Sequence, residues 1–427
     1  MTRVSRLPES VVDDDGRIHH LLQPAIASGG QGAVFMTREP TIGVKLLNES
    51  IGSREVLARV RRLAIEDLAS IAAPLSILRE VPGYTMVWLR GMTSMSRDLA
   101  PSGEERGDIG AWRIRTGGVK RRLALTAKLA EVLADLHGRG IVYVDLNLAN
   151  VMVSALGEFS ELRLIDLDNL RLASDTSLAV HTPRWSAPEI FDRQPPTTWS
   201  DSYSLSLVTF ALLTGYHPFY DGDAIRFTHD DSPQRAAAKR GLIPSVIDPD
   251  SNENQLSHEH LPFDAILTPT LLRRYQQTFS EGRNEPLKRV TAGRLCQALW
   301  QAHDNTRVCS CGMSFLALRK ICPNCGKDVS GSLTLSVRSS NLESTYSRLT
   351  LGSEAIDIQM RHIPLSVAPN RRHDRVMSLS PGDGFFHIEA AAGWSCSSRR
   401  ICAGESAIVE SRDGDSFRLE LSSNESK

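Results

Sequence analysis

Cysteine is scarce, with seven in 427 residues. That is too few for a disulfide-stapled secreted scaffold. Charge of one sign is also absent: Lys plus Arg number 49 against 50 for Asp plus Glu, a formal net charge of −1. Such a chain lacks the whole-molecule field of a dedicated nucleic-acid binder, although a local basic patch remains compatible with it. Long apolar runs are missing as well. The opening MTRVSRLPESVVDDDG has no apolar stretch for a signal peptide. The segment LSLVTFALLTG is too short and too interrupted by Ser and Thr for a membrane span. These absences lead us to expect a soluble, cytoplasmic protein of a reducing compartment. What is present is ordinary globular material, 41% hydrophobic and 23% charged, enough for two to four domains at about 150 residues each.

The hydrophobic pattern changes along the chain. Residues 1–17 read as a loosely attached arm. From Ile18 to about Leu89, the strand-like runs GAVFM, IGVKLL and TMVWL alternate with one helix, expected over Arg54 to Leu68 with Val56, Val60 and Leu63 on one face. A polar loop, PSGEERGDIG, then precedes a long amphipathic helix whose stripe is Leu125, Leu129, Val132 and Leu136, stopped by Gly138 and Gly140. Mostly helical sequence follows to about Gln301, with a polar surface insertion around HDDSPQRAAAKRG and DPDSNENQLSHE. After residue 331 the period becomes two: Leu333, Leu335 and Val337, then Ile356, Ile358 and Met360, then Phe386 and Ile388, then Phe417, Leu419 and Leu421. That pattern predicts a small antiparallel β domain.

Six motifs carry chemistry, in order. ASGGQGAVF places Gly29, Gly30 and Gly32 between two strands, where bare backbone N–H groups can approach phosphates. VKLL puts Lys45 inside an apolar strand, where an ammonium needs an anionic partner. YVDLNLANVMV spaces Asp145 and Asn150 five apart in a loop. LRLIDLDNL delivers Asp166 at a strand end, with Asp168 next. Carboxylates and an amide so placed suit magnesium and the activation of a hydroxyl. WSAPEIF carries Glu189, and Asp201 sits at the mouth of a buried helix, a position that also suits an N-cap.

The ordered set resembles the protein kinase superfamily, over about residues 18–304, and its variants DLNLAN and DLDN are closest to bacterial Ser/Thr kinase-like proteins that carry a C-terminal zinc ribbon. The resemblance implies an α+β, bilobal fold with an N-lobe of about 18–89 and a C-lobe of about 90–304. It implies that Gly29, Gly30 and Gly32 cover ATP phosphates, and that Lys45 holds them and pairs with a helix glutamate, Glu55 by preference and Glu66 as competitor. Met86, Trp88 and Leu89 would meet adenine. Asp145 would accept the substrate hydroxyl proton, and Asn150 and Asp166 would bind Mg2+. Glu189 would pair with Arg289, and Asp201 would hold the catalytic-loop backbone. The chain departs from the family pattern at three places. The HRD arginine is Val144, the following catalytic-loop lysine is Asn147, and the DFG glycine is Asp168. Loss of the arginine argues against control through an activation-loop phosphate, and loss of the lysine removes a positive charge beside the transferred group. Asp168 either binds metal or caps the following turn, with capping preferred.

CSCGMSFLALRKICPNCG brings Cys309, Cys311, Cys322 and Cys325 into two short-spaced pairs, the pattern of a structural Zn2+ ribbon over residues 305–330. Metal would supply much of the folding free energy of so small a unit. Residues 331–427 form the β-rich domain, for partner recognition or for covering the ribbon, and Cys396 and Cys402 are read as free thiols. The expected function is Mg-ATP-dependent phosphorylation of a protein hydroxyl, probed against two alternatives. One is an ATP-binding pseudokinase or scaffold. The other is a nucleic-acid-binding regulator acting through the ribbon and Arg371, Arg372, Arg375, Arg399 and Arg400. The expected partner is a protein substrate, alongside a phosphatase by analogy with the family, with neither membrane nor nucleic acid.

Overall fold

The structure, a computed structural model, describes residues 8–423 apart from 30–31, 49–54, 56–57, 61, 64, 66, 102–107, 179–180, 258–260, 330–332, 340–344, 353 and 364–370. The first sheet contains β1 (Ser10–Val12), β2 (Ile18–Gly29), β3 (Gly32–Thr37), β4 (Ile42–Leu47), β5 (Pro74–Ile77) and β6 (Gly83–Val87). They are antiparallel in the order β1-β2-β3-β4-β6-β5. One face closes over Val11, Leu21, Phe35, Val44 and Leu78. The expected loose arm is therefore corrected for residues 10–12, which pair with residues 18–20. The turn between them is closed by Asp13, which accepts from the Arg17 N–H at 2.9 Å and contacts His19 Nε2 at 2.8 Å. The helix expected over Arg54 to Leu68 is shorter than read. Glu55 and residues 58–60 are helical, while the Arg62 and Leu63 N–H groups donate three residues back, as in turns. Val56 lies outside the described residues. Val60 and Leu63 pack into the large core of the helical part rather than under the sheet.

That large core surrounds α1 (Gly118–Gly138), whose expected stripe Leu125, Leu129, Val132 and Leu136 is buried along with Leu123, Ala127 and Leu133. Helices α2 (Thr198–Thr214), α3 (Pro269–Phe279) and α4 (Ala292–Asp304) pack around it. Each of these three begins at a threonine, Thr197, Thr268 or Thr291, whose side chain accepts an orphan N–H of the first turn. Short strands sit at the mouth of the lobe: β7 (Met92–Ser94), β9 (Val151–Ser154) and β10 (Leu162–Leu164) in one sheet, and β8 (Ile141–Val142) with β11 (Arg171–Leu172) in another. The polar insertion contains the helix Pro233–Lys239. It is anchored by Asn254, which is fully buried and donates to the Pro244 carbonyl at 3.0 Å.

The hairpin of β12 (Thr306–Val308) and β13 (Ser314–Leu316) carries Cys309 and Cys311 in its turn, and Cys322 and Cys325 follow in the turn closed by the Ile321–Asp328 bridge. Met313, Phe315, Leu316, Cys309 and Cys322 belong to the same core as α1. The approach is close. Ser314 Oγ accepts the Lys120 N–H at 3.0 Å, and a Cβ on Gly118, whose φ is +64°, would stand 2.2 Å from that oxygen. The hairpin is thus an outgrowth of the helical core.

Residues beyond it form two antiparallel sheets. One orders β15 (Thr345–Leu351), β14 (Leu333–Ser339), β22 (Ser416–Ser423), β21 (Ser406–Ser411) and β19 (Trp394–Cys396). The other orders β16 (Ile356–Gln359), β17 (Arg375–Pro381), β18 (Phe386–Ala390) and β20 (Arg400–Ile401). Leu335, Val337, Ile358, Leu379, Ile388, Leu419 and Leu421 fill a core shared by both sheets. This unit meets the helical lobe through charge. Arg361 donates twice to Asp304 at 2.9 and 2.8 Å while lying over the Trp300 ring. Arg372 and His373 engage Glu131 and Asp135 on α1. Arg371 pairs with Asp374 at 3.0 Å. Two arginines of the expected basic patch are therefore already paired with carboxylates.

Candidate active site

The loop after β8 is built around Asp201. This side chain is 1% exposed, and Thr197 rather than Asp201 caps α2. Freed from capping, Asp201 accepts the Tyr143 N–H at 2.6 Å and the Val144 N–H at 2.8 Å, with His137 Nε2 at 3.2 Å. Two adjacent N–H groups can converge on one carboxylate because Val144 has φ +80°, a backbone state rare for a β-branched residue. The Tyr143 hydroxyl donates to the Ile165 carbonyl, joining this loop to the one that bears Asp166. Burial, with Asp166 and Asp145 nearby, holds the Tyr143 phenol well above its usual pKa, so it stays a donor.

Asp145 follows. Its Oδ1 accepts the Thr182 N–H at 2.8 Å, and Asn150 Nδ2 donates to its backbone carbonyl at 2.9 Å. The Asn147 side chain caps the short turn Leu148–Asn150: its Oδ1 accepts the Ala149 N–H at 2.9 Å and the Asn150 N–H at 3.2 Å. Its Nδ2 reaches Thr182 Oγ1 at 3.2 Å. The residue standing where the family has a lysine is spent on holding the loop. The Asn150 carbonyl accepts the Ile165 N–H at 3.0 Å, so the loop and the strand end that presents Asp166 are tied directly.

Asp166 sits at φ +59°, in the left-handed region. Lys45, opposite Tyr84 in the β4–β6 ladder, crosses the cleft to it: Nζ lies 2.7 Å from Asp166 Oδ1 and 2.6 Å from Asp168 Oδ2. Asp168 Oδ1 accepts the Tyr84 hydroxyl at 2.9 Å, and Arg59 donates to the Asp168 carbonyl. Burial would depress the Lys45 pKa, but Asp166 and Asp168 outweigh it and leave it above the ordinary lysine value. Burial raises the Asp166 pKa, Lys45 pulls it down, Asp168 pushes it up again, and the net shift is upward. Asp166 keeps 25% of its side chain exposed, whereas Asp168 keeps 4%. One carboxylate thus faces the cleft and the other is enclosed.

The remaining expected positions fall as follows. Gly29 and Gly32 are opposite each other at the β2–β3 turn, and a Cβ on Gly32 would meet the Leu46 carbonyl at 2.0 Å. Gly30 and Glu66 lie outside the described residues. Glu55 is exposed, and the described ion pairs of Lys45 go to Asp166 and Asp168. Met86 pairs with Gly43 across the sheet; Trp88, whose N–H donates to the Thr41 carbonyl at 2.7 Å, and Leu89 are half-buried just beyond. Glu189 and Arg289 form a two-pronged pair, both contacts at 2.7 Å. Reasoning from the sequence missed Tyr84, Thr182 and Arg59, and gave Asp168 a capping role. Tyr84 had one legible signal, its alternation in the strand run GYTMV.

Residues 118–306 match the protein kinase domain. This part of the chain is protein-kinase-like. A stretch of 130 residues, 29% of this chain and 23% of the relative, is 36% identical to the serine/threonine-protein kinase PkaA of Streptomyces coelicolor. The probable serine/threonine-protein kinase pknA2 of Bifidobacterium longum is 24% identical over 235 residues, 52% of this chain and 30% of the relative. The serine/threonine-protein kinase PknJ of Mycobacterium tuberculosis is 28% identical over 212 residues, 47% and 35% respectively. The chain therefore spans about a third or less of the length of the curated relatives it matches. Among the described residues no helix is long and apolar enough to cross a membrane.

A second cluster lies on the cysteine hairpin. The sulfurs of Cys309, Cys311, Cys322 and Cys325 all fall within 4.8 Å of one another. Four converging thiols are a donor set that fits a metal in a closed tetrahedral shell.

Proposed function

We propose that the chain is a Mg-ATP-dependent serine/threonine protein kinase whose site spans both lobes. The observation that carries this reading is the Lys45–Asp166 contact at 2.7 Å across the cleft, next to the tied pair Asp145 and Asn150. The donors fit the group: the Asp166 carboxylate and the Asn150 amide offer hard oxygens for magnesium, and Asp166 is partly exposed to the cleft. When bound, the magnesium nucleotide supplies an electrophilic γ-phosphorus. Lys45 would hold the phosphates, with Gly29 and Gly32 beside them, and Asn150 and Asp166 would bind the metal. Asp145, oriented by the Thr182 N–H, takes the proton of the substrate hydroxyl. The substrate is proposed as a protein, and the four cysteines as a structural Zn2+ site. Residues 331–427 are proposed as a separate β-rich domain after the zinc-bearing segment.

One observation favours a pseudokinase: Asn147 is neutral and fully engaged in the loop. Positioning and the metal ligands supply most of the stabilisation in phosphoryl transfer, so we favour the enzyme. Transfer of γ-labelled phosphate to a generic protein acceptor, titrated with magnesium, tests it. The expected result is magnesium-dependent labelling that Asp166→Asn abolishes. Wild-type protein that binds ATP and labels nothing, itself included, would support the pseudokinase instead.

A further inference from the structure

Lys45 is 6% exposed and inserted among apolar strand residues, so its ammonium requires a fixed counter-ion. The family pattern draws that counter-ion from a helix; of the two glutamates considered, Glu55 is exposed and Glu66 lies outside the described residues. Asp168 has every property the role needs. Its Oδ2 is 2.6 Å from Lys45 Nζ, it is buried, and it cannot leave the cleft easily because three groups hold it. Tyr84, neighbour to Lys45 across the ladder, donates to the second oxygen at 2.9 Å. Arg59 grips the backbone carbonyl, and the Tyr84 ring lies 5.9 Å from the ammonium. Capping, the role read from the sequence, fails on the same facts, because both carboxylate oxygens point across the cleft to other elements.

We infer that Asp168 is a positioning counter-ion of Lys45, in the part the family resemblance assigns by preference to Glu55, with Tyr84 and Arg59 as its supports. The inference rests on the nucleotide-binding reading above. Its consequence is mechanical: the lysine proposed to hold phosphates and the carboxylate proposed to bind metal are set together by one three-residue segment, 166–168. Arg59, from the helix, steadies that segment from outside.

The test begins with nucleotide-free protein and a double-mutant cycle on the thermal midpoint. Lys45→Met combined with Asp168→Asn should lower the midpoint by half or less of the sum of the single effects. Lys45→Met combined with Glu55→Gln should give the plain sum. Additivity at Asp168, or coupling at Glu55, would overturn the inference. The second arm measures the affinity of a fluorescent ATP analogue with magnesium. Asp168→Asn should weaken it roughly tenfold, the scale of one lost charged hydrogen bond, and Asp168→Glu should recover part. An Asp168→Glu no better than Asn would contradict a positioning role. If Asp168→Asn fails to fold, Tyr84→Phe serves, with a loss in the same direction of about threefold; unchanged affinity there counts against the inference. Should wild-type protein not bind the analogue, the functional reading fails, while the nucleotide-free cycle still decides the counter-ion.

Discussion

The loops at 143–150 and 165–169 carry the acidic groups of one cleft and are tied to each other through Tyr143 and Asn150, but only the second is also held from the opposite sheet. The first is fixed from within its own lobe by backbone hydrogen bonds: Asp201 accepts two N–H groups, and Asn147 two more. The second has, besides its ties to the first, a charged anchor across the cleft in Lys45, with Tyr84 donating a hydrogen bond to the Asp168 carboxylate from the same sheet. A loop tied to its own core is preorganised whether or not the lobes are closed. A loop tied to the opposite lobe changes when they separate. The group proposed to handle the proton sits on the rigid side, and the group proposed to hold metal sits on the side that feels closure.

The largest effect expected comes from the core that the first loop stands on. Phe315, fully buried in the cysteine hairpin, shares that core with α1. Phe315→Ala should cost about 3–5 kcal/mol, read by denaturant unfolding as one transition that takes the helical lobe with it. A separate early hairpin transition would break the comparison, because the hairpin would then be an independent unit. Asp201→Ala comes next. It strands the Tyr143 and Val144 N–H groups in a buried site and should cost about 3 kcal/mol of stability, while leaving the Lys45–Asp168 coupling measurable. The smallest is Tyr84→Phe, which removes one hydrogen bond to a carboxylate. We expect a loss of about 1.5 kcal/mol in nucleotide-free stability, with backbone exchange quickened around 165–169 and unchanged around 143–150. Equal quickening in both loops would mean they form one unit.

The two loops also differ in how much of them sequence conveys. Asp145, Asn147 and Asn150 lie within six residues, so a local motif states their relation, and the Asp201 contact matches a role that the family resemblance already implied. The second loop depends on partners 121 and 123 residues away from Lys45. No local spacing encodes which carboxylate meets the ammonium, and the sequence reading favours Glu55, with Glu66 as competitor, while giving Asp168 to a cap or to metal. The register that sets Lys45 beside Tyr84 becomes visible only once β4 and β6 pair. The strand at residues 10–12 was missed for a related reason. Three residues carry too little periodicity to announce a strand, and its stability comes from Val11 reaching a core made by distant residues. The long helix α1 and the alternating strands after 331 were readable because their periodicity runs over many residues.

The most direct test of the account separates binding from transfer at Asp145. Wild-type and Asp145→Ala proteins would be titrated with magnesium-ATP and then assayed for phosphoryl transfer from the same preparation. The account predicts nucleotide affinity within about threefold of wild type, because Asp145 is given no part in holding the phosphates or the metal, and transfer reduced by roughly 10²–10⁴-fold, the scale of a lost general base. Equal transfer by the two proteins, or none by either, would contradict it.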